Sequence, residues 1–259
     1  MEILFLGGDK RMAYAADCLS AYGYEICREE DAGGSHFPVI VLPVPLTKNG
    51  EDVFSPLSPA PLPLERVISF AEPNALILAG GECQKLREVC EEHRLVNYFA
   101  EESLTLRNAA LTAEAAVALL VDNSDCALFG SRALITGYGR IARELAARLS
   151  AFGCECVICA RRREARTEAE LRGLRTASVE ELPALVSEFP FIVNTAPAPL
   201  FSEGDFSRMR EDCVFVELAS LPLRQERRVR YIHAGGLPGK FSPKTAGRFI
   251  AEELLRFLR

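Results

Sequence analysis

The chain has 259 residues, enough for two modest domains or one large one at about 150 residues per domain. Hydrophobic residues make up 49% of it and charged residues 25%, the balance of a globular protein with material for a core. The formal net charge is −6, and an acidic, unclustered balance argues against a general nucleic-acid or anionic-membrane binder.

No apolar run approaches the roughly 18 residues expected of a membrane span. The N-terminal MEILFLGGDK is too short and too soon interrupted by charge for a signal peptide, so it reads as a first strand and the expected compartment is the cytoplasm. Nine cysteines are an odd count for a disulfide framework. The tightest group, Cys154, Cys156 and Cys159, has no fourth ligand at a suggestive spacing. It reads as a buried strand, and no metal site is expected.

In the first half, Ile3–Leu6 reads as a strand and Lys10–Tyr22 as a helix, from the spacing of Met12, Ala16 and Leu19. Residues 38–45 hold a buried strand that ends in prolines. Asn49-Gly50 signals a tight hairpin between that run and Asp52–Phe54. Prolines 56, 59, 61 and 63 then enforce an extended loop, each fixing φ and removing a backbone donor. Ala75–Leu78 is the next strand, Glu82–His93 a helix and Leu95–Phe99 a short strand. Strands that alternate with helices imply a mainly parallel sheet with helices on its faces. From Ser103 to Asp122 the Ala- and Leu-rich composition predicts a long, buried helix that crosses between two α/β units.

The second half restarts the alternation. Ala133–Thr136 is a strand, Gly139–Phe152 a helix and Cys154–Ala160 a strand. Thr167–Leu174 and Val179–Glu188 are expected to be helical. Phe191–Thr195, Val214–Leu218 and Tyr231–Ala234 are expected strands, and Phe206–Met209 a helical turn. Thr245–Leu258 is amphipathic and closes the chain as a helix.

The strongest motif is Gly137-Tyr138-Gly139-Arg140-Ile141-Ala142, a G-x-G-x-x-A turn between the strand ALIT and a helix. Gly137 permits the tight turn, Gly139 admits a pyrophosphate to the backbone, and the helix N-terminus carrying Arg140 and Ile141 stabilises its charge. An NAD-type site wants a carboxylate about 20 residues on. Here the next strand ends in Ala160-Arg161-Arg162-Arg163 instead. Arg161 and Arg162 suit a 2′-phosphate, so NADP(H) is preferred over NAD(H).

Three further segments fall where the third, fourth and fifth strands of that unit are expected to end. They are Asn194-Thr195-Ala196-Pro197, Glu217-Leu218-Ala219-Ser220 and Gly235-Gly236-Leu237-Pro238-Gly239-Lys240. Ligands of open parallel sheets bind outside such strand ends. Asn194, Thr195, Pro197, Ala219 and Ser220 are therefore candidate cofactor contacts. Gly7-Gly8-Asp9-Lys10-Arg11 joins the first strand to the first helix, where its amides suit a carboxylate. Lys240 and Lys244 bracket Ser242-Pro243 as an anion clamp, and Glu114 lies at the start of the crossing helix.

Taken in order, GGDKR, VLPVP, Asn108…Thr112…Glu114, GYGR, NTAP, ELASLP and above all GLPGKFSPKTAG resemble the A subunit of dipicolinate synthase over nearly the whole chain. Its architecture is similar to that of the D-2-hydroxyacid dehydrogenases. The resemblance implies an α/β fold of two domains. One is a flavodoxin-like N-terminal unit (1–105) completed by the C-terminal helix (244–259). The other is an inserted Rossmann NAD(P)-binding domain (106–243). It also implies NADP-dependent oxidation of dihydrodipicolinate, or of 4-hydroxytetrahydrodipicolinate, to dipicolinate in the mother cell of a spore-forming bacterium. The expected partner is the flavoprotein-like B subunit of such a synthase, and fold analogy allows a homodimer.

Those dehydrogenases use an arginine and a late histidine, where this chain has Ser220 and the lysine-containing GLPGKFSPK, so a hydroxyacid substrate is not expected. The small dicarboxylate is expected to be held by Arg11, Lys240 and Lys244, with Ser242 and the amides of Gly7 and Gly8. Glu114 or Lys244 serves as acid or base if burial shifts its pKa. The competing reading is a nucleotide-binding scaffold whose flavoprotein partner carries the redox step. An unrelated NADP-dependent reductase would require GLPGKFSPKTAG to be coincidence.

Overall fold

A computed structural model of the chain describes residues 1–219 and 229–259. Two compact units divide it, one of residues 1–108 with 239–259 and the other of residues 109–238. Along the chain the first elements are β1 (Glu2–Phe5), α1 (Lys10–Ala21), β2 (Glu25–Arg28), β3 (Phe37–Val41), β4 (Asp52–Val53), β5 (Leu62–Pro63), β6 (Ala71–Ala79), α2 (Gln84–Val89) and β7 (Arg94–Asn97). Helix α3 (Glu102–Asp122) carries the chain into the second unit. There follow β8 (Arg132–Thr136), α4 (Arg140–Ala151), β9 (Glu155–Cys159), α5 (Arg163–Glu170), β10 (Arg175–Ala177), α6 (Leu182–Leu185), β11 (Phe191–Asn194), α7 (Glu203–Arg208), β12 (Val214–Glu217), β13 (Arg230–His233) and α8 (Leu237–Phe241). The last helix is α9 (Pro243–Leu254).

The main sheet of the first unit runs β2-β1-β3-β6-β7 with every pair parallel. Counted by its own strands the order is 2-1-3-4-5, a doubly wound arrangement. Both faces are covered, which is why its central strands read as continuous apolar runs. In β1, Ile3 and Phe5 pack with α1 and α9 on one side, while Leu4 and the following Leu6 pack with Leu86 and Val67 on the other. Gly247 of α9 lies so close to α1 that a Cβ there would sit 2.5 Å from the Arg11 carbonyl oxygen and 2.6 Å from Tyr14 Cβ.

The second unit holds a six-stranded sheet in the order β10-β9-β8-β11-β12-β13, again wholly parallel. In its own count this is 3-2-1-4-5-6, the dinucleotide-binding order. One face packs on α3 and α4 through Ile135, Ile158, Val193, Leu120, Leu145 and Leu149. The other is capped by aromatic side chains, with Phe201 and Phe215 edge to face at 4.9 Å.

Several expectations are corrected. Strands β2 and β10 are unforeseen, because both are short sheet edges with charged or half-exposed residues and no apolar run. NTAP, Glu217–Ala219 and GGLPG therefore fall at the ends of the fourth, fifth and sixth strands of the second sheet. Asn49-Gly50 does not join residues 38–45 to Asp52–Phe54 as a hairpin, but lies in the turn that precedes β4. Strand β3 is held between β1 and β6 and has no free edge, so β4 pairs antiparallel with β5 instead. Asn49 still shapes its turn, its Oδ1 accepting the amides of Glu51 at 3.0 Å and Asp52 at 2.9 Å.

Helix α3 is 21 residues long with mean hydropathy 1.4 over its best 18-residue window, so by length and composition it is able to cross a membrane, contrary to the expectation from apolar runs. Glu114 interrupts the run in sequence without breaking the helix. Half of that window is buried inside the protein. The unit boundaries lie at 108/109 and 238/239, where 105/106 and 243/244 were expected, and this moves Lys240 and Ser242 into the first unit.

Gly247→Ala forces an overpacked contact onto the backbone of α1, which costs about 1–3 kcal/mol. Thermal unfolding is expected to show a lower midpoint for this variant, and an unchanged midpoint would contradict the close approach of α9 to α1.

Candidate functional site

At the end of β8 the chain turns through Gly137, whose φ of 83° belongs to the left-handed region that glycine tolerates. Its amide donates to the Cys159 carbonyl at 2.8 Å, tying the turn to β9. A Cβ at Gly137 would lie 3.0 Å from Thr195 Oγ1. Gly139 differs: it is the N-cap of α4, no side chain caps that helix, and a Cβ there would meet no atom within 4 Å. Among the described residues nothing occupies the space that a side chain at 139 would take, so the N-terminus of α4 is open there. Ala142, in the third small position of the motif, is fully buried where α4 packs on the sheet.

A cavity of about 280 Å³ opens beside this turn, lined by Gly137, Tyr138 and Gly139, by Cys159 to Arg162, and by Ala196 to Ala198. Arg161 and Arg162 are exposed at its rim and have no side-chain partner among the described residues. Arg166 pins the loop beneath them, donating from Nη1 to the carbonyls of Ala160 at 2.6 Å and Arg161 at 3.0 Å. None of the described lining residues is acidic. Burial pushes the Cys159 thiol up to about 12, so it contributes an uncharged wall. Helix α5 begins at Arg163, earlier than the Thr167 expected, and this fixes Arg161 and Arg162 in the turn before it.

The strand ends themselves form a row. Cys159, Thr136, Asn194, Glu217 and His233 are successive register partners across β9, β8, β11, β12 and β13. Within it, Thr136 donates its hydroxyl to Asn194 Oδ1. Asn194 Nδ2 donates to both oxygens of Glu217 at 2.9 Å. The Ala219 amide donates to Glu217 Oε1 at 3.0 Å, and the Ala196 amide to Asn194 Oδ1 at 3.1 Å. Burial pushes the Glu217 carboxyl above its ordinary range, opposed by the donors from Asn194 and Ala219 and by nearby His233.

The structure thus brings Gly137, Gly139, Arg161, Arg162 and Pro197 together around one cavity. Asn194 is a correction, because its side chain is fully buried and committed to Thr136, Glu217 and Ala196. Thr195 spends its hydroxyl on the Thr136 carbonyl at 2.7 Å, and Ala219 its amide on Glu217. Arg140 is exposed and Ile141 half-buried on the first turn of α4, and neither is a lining residue. Ser220 lies outside the described residues. Glu217 was not among the expected contacts, although a lone carboxylate ending the buried run Val214–Val216 was a visible signal of a bonded polar group there.

On the substrate side the corrections are larger. Arg11 is buried, and its guanidinium binds Asp9 in two places, Nε to Oδ1 at 2.9 Å and Nη2 to Oδ2 at 2.9 Å. Nη2 also donates to the Val44 carbonyl. Asp9 neutralises it, so it is no free anion clamp. Gly8 is likewise engaged, its amide donating to the Phe54 carbonyl at 2.7 Å. Gly7 packs beneath the same segment, where a Cβ would lie 2.8 Å from Val53 Cγ1. Gly239 abuts the Asp9–Arg11 pair, with room for a Cβ only 2.6 Å from Asp9 Oδ2. Lys240 and Lys244 are exposed and unpaired among the described residues, and Ser242 sits at the N-cap of α9 without a side-chain capping bond. Glu114 is exposed on α3, so neither it nor Lys244 has the burial that an acid–base role was expected to require.

Comparison with known proteins agrees with this geometry. Residues 26–99 match the family of the N-terminal domain of the dipicolinate synthase A subunit. Residues 119–228 match the family described as "D-isomer specific 2-hydroxyacid dehydrogenase, NAD binding domain". The chain is 26% identical over 173 residues to the dipicolinate synthase A subunit of Bacillus subtilis (strain 168), a stretch covering 64% of this chain and 58% of that relative. The match therefore spans less than two thirds of the curated relative.

In fold, the crystal structure of the dipicolinate synthase A subunit from Bacillus halodurans matches with TM-score 0.86 and 21% identity, covering 99% of this chain and 97% of that one. The corresponding crystal structure from Bacillus subtilis gives 0.82 and 22%, with 100% and 95% covered. A transhydrogenase from Sinorhizobium meliloti gives 0.70 and 14%, with 99% and 93% covered. The chain is thus similar in sequence and in fold to dipicolinate synthase A subunits, and its second unit matches the family of an NAD-binding domain.

The two turn glycines are expected to separate on substitution. Gly137→Ala places a side chain at positive φ against Thr195 and costs about 1–2 kcal/mol from conformation alone. Gly139→Ala is expected to cost no more than about 1 kcal/mol, the usual effect of alanine at an N-cap. Paired thermal melts check this, and equal losses in both variants would contradict the open space at Gly139.

Proposed function

We propose that the chain is the A subunit of a dipicolinate synthase. In this reading it catalyses NADP-dependent oxidation of dihydrodipicolinate, or of 4-hydroxytetrahydrodipicolinate, with a flavoprotein-like B subunit in the mother-cell cytoplasm of a spore-forming bacterium. The observation that carries the nucleotide half of this reading is the cavity beside Gly139, with two arginines at its rim that have no side-chain partner among the described residues and no acidic residue among its described lining. The homology described above supports the substrate half. We further read the first unit as flavodoxin-like, on its parallel 2-1-3-4-5 order.

The residues present fit an NADP(H) molecule. The N-terminus of α4, which no side chain caps, and the open space over Gly139 suit the pyrophosphate, and α4 directs its positive end there. Arg161 and Arg162 suit the 2′-phosphate, which a carboxylate at the end of β9 would repel. A bound NADP⁺ would supply acceptance of a hydride from the ring, with one proton released as the ring aromatises and, from the hydroxylated precursor, one water lost as well. On the first unit, Lys240 and Lys244 keep their charge free for a dicarboxylate, with Ser242 between them. Arg11 is committed to Asp9 and the Val44 carbonyl and takes no part in this assignment.

The exposure of Glu114 and Lys244 favours a second reading, in which this chain holds nucleotide and organises its partner while the flavin there carries the redox step. Single-turnover reduction of NADP⁺ by the isolated chain with fresh precursor separates the two. Reduction without the partner supports the dehydrogenase, and reduction only with it supports the scaffold.

Calorimetric titration with NADPH and NADH tests the nucleotide assignment. NADPH is expected to bind more tightly, and Arg161→Ala with Arg162→Ala to weaken NADPH about tenfold or more while leaving NADH nearly unchanged. Equal affinity for the two nucleotides, insensitive to both arginines, would overturn the NADP preference. Absence of binding to either would overturn the nucleotide site.

A further inference from the structure

We propose that Glu217 is the positioning residue of the nucleotide site, holding the β11 wall of the cavity in place through the Asn194 side chain. The inference rests on the nucleotide reading given above. Glu217 ends a strand whose other residues, Val214, Phe215 and Val216, are buried and apolar, and it is itself only 4% exposed. Burial of a carboxylate is unfavourable unless its oxygens are matched by donors. The hydrogen-bond donors to it among the described residues are neutral: Asn194 Nδ2 reaches both oxygens, and the Ala219 amide reaches one. An apolar side chain would serve the core at lower cost, so the carboxylate has another task.

That task is to fix which way the Asn194 amide faces. A primary amide is nearly symmetric in shape, and only its neighbours decide which end is oxygen. On one side of Asn194 stand two donors, the Thr136 hydroxyl and the Ala196 amide. On the other stands the Glu217 carboxylate, which only accepts when ionised. Together they allow a single orientation, with Oδ1 toward β8 and Nδ2 toward β12. In that orientation Oδ1 holds the Ala196 amide at 3.1 Å, and Ala196, Pro197 and Ala198 line the cavity opposite Arg161. The register partners Thr136, Asn194 and Glu217 thus carry a fixed polarity across three strands to the wall on which the ligand rests.

The test is calorimetric NADPH binding by the full chain, with thermal unfolding of each variant alongside. In Glu217→Gln an N–H₂ group competes with the Asn194 N–H₂, so affinity is expected to fall about tenfold or more. The double variant Asn194→Asp with Glu217→Gln reverses the polarity. A carboxylate on β11 then accepts from Thr136, Ala196 and the introduced amide, whose oxygen still accepts from Ala219. Affinity is expected to return to within about threefold of the wild type, a recovery that two destabilising substitutions would not produce.

If Glu217→Gln unfolds, Thr136→Val removes one donor from Asn194 Oδ1 while leaving the carboxylate, and a several-fold loss is expected. Unchanged affinity in Glu217→Gln, or in Thr136→Val where that variant is needed, overturns the positioning role, as does a double variant no better than the single. Failure of the wild-type chain to bind NADPH or NADH is a separate result, and it overturns the nucleotide reading together with this one.

Discussion

A parallel sheet covered on both faces has no place for polar chemistry except where its strands end, and the rest of this structure follows from that constraint. In the second unit it acts at a single row. Strands β8, β11 and β12 run inward as buried apolar residues and stop on Thr136, Asn194 and Glu217, adjacent register partners whose side chains satisfy one another. The row closes the hydrophobic interior with a fully bonded polar layer. The turn at Gly137 and the segment Ala196–Ala198 rise directly from it, so the cavity wall inherits the rigidity of the sheet.

Glycine marks two different demands in this chain. Gly247 and Gly239 are small because protein occupies the space a side chain would need, α1 in one case and the Asp9–Arg11 pair in the other. They lie in GLPGKFSPKTAG, the segment most characteristic of the resemblance, and part of that segment's character is therefore packing. Gly139 is small although no protein atom stands where its Cβ would be. Its place at the uncapped start of α4 is the opening on which the proposed pyrophosphate contact rests.

The central strands, the long helix α3, the G-x-G-x-x-A turn and the arginines after β9 were legible in the sequence because each is a local pattern: an apolar run, a composition or a spacing. Strands β2 and β10 were not, since an edge strand such as EICR or RTA is defined by its neighbour and not by its own hydrophobicity. The Asn49-Gly50 signal was read correctly as a turn and wrongly as a partner assignment. Which strand β4 pairs with depends on which edge is free, and β3 has none. Glu217 escaped notice because its importance arises from Asn194 and Thr136, which lie far from it along the chain and beside it in the sheet.

The basic residues show most plainly why composition along the chain is a poor guide to available charge. Arg11 and Arg161 each come shortly after the end of a strand, and both invite an anion in sequence. Arg11 meets Asp9 on the same turn, the pair is buried, and the Val44 carbonyl completes its coordination, so it acts as a fastening of the first unit. Beside Arg161 and Arg162, Arg166 takes the loop carbonyls of Ala160 and Arg161. Their guanidinium groups keep their donors at the rim of a cavity whose other described walls are uncharged. What separates the two cases is the partner: Arg11 has Asp9 on its own turn, whereas Arg161 and Arg162 have no side-chain partner among the described residues.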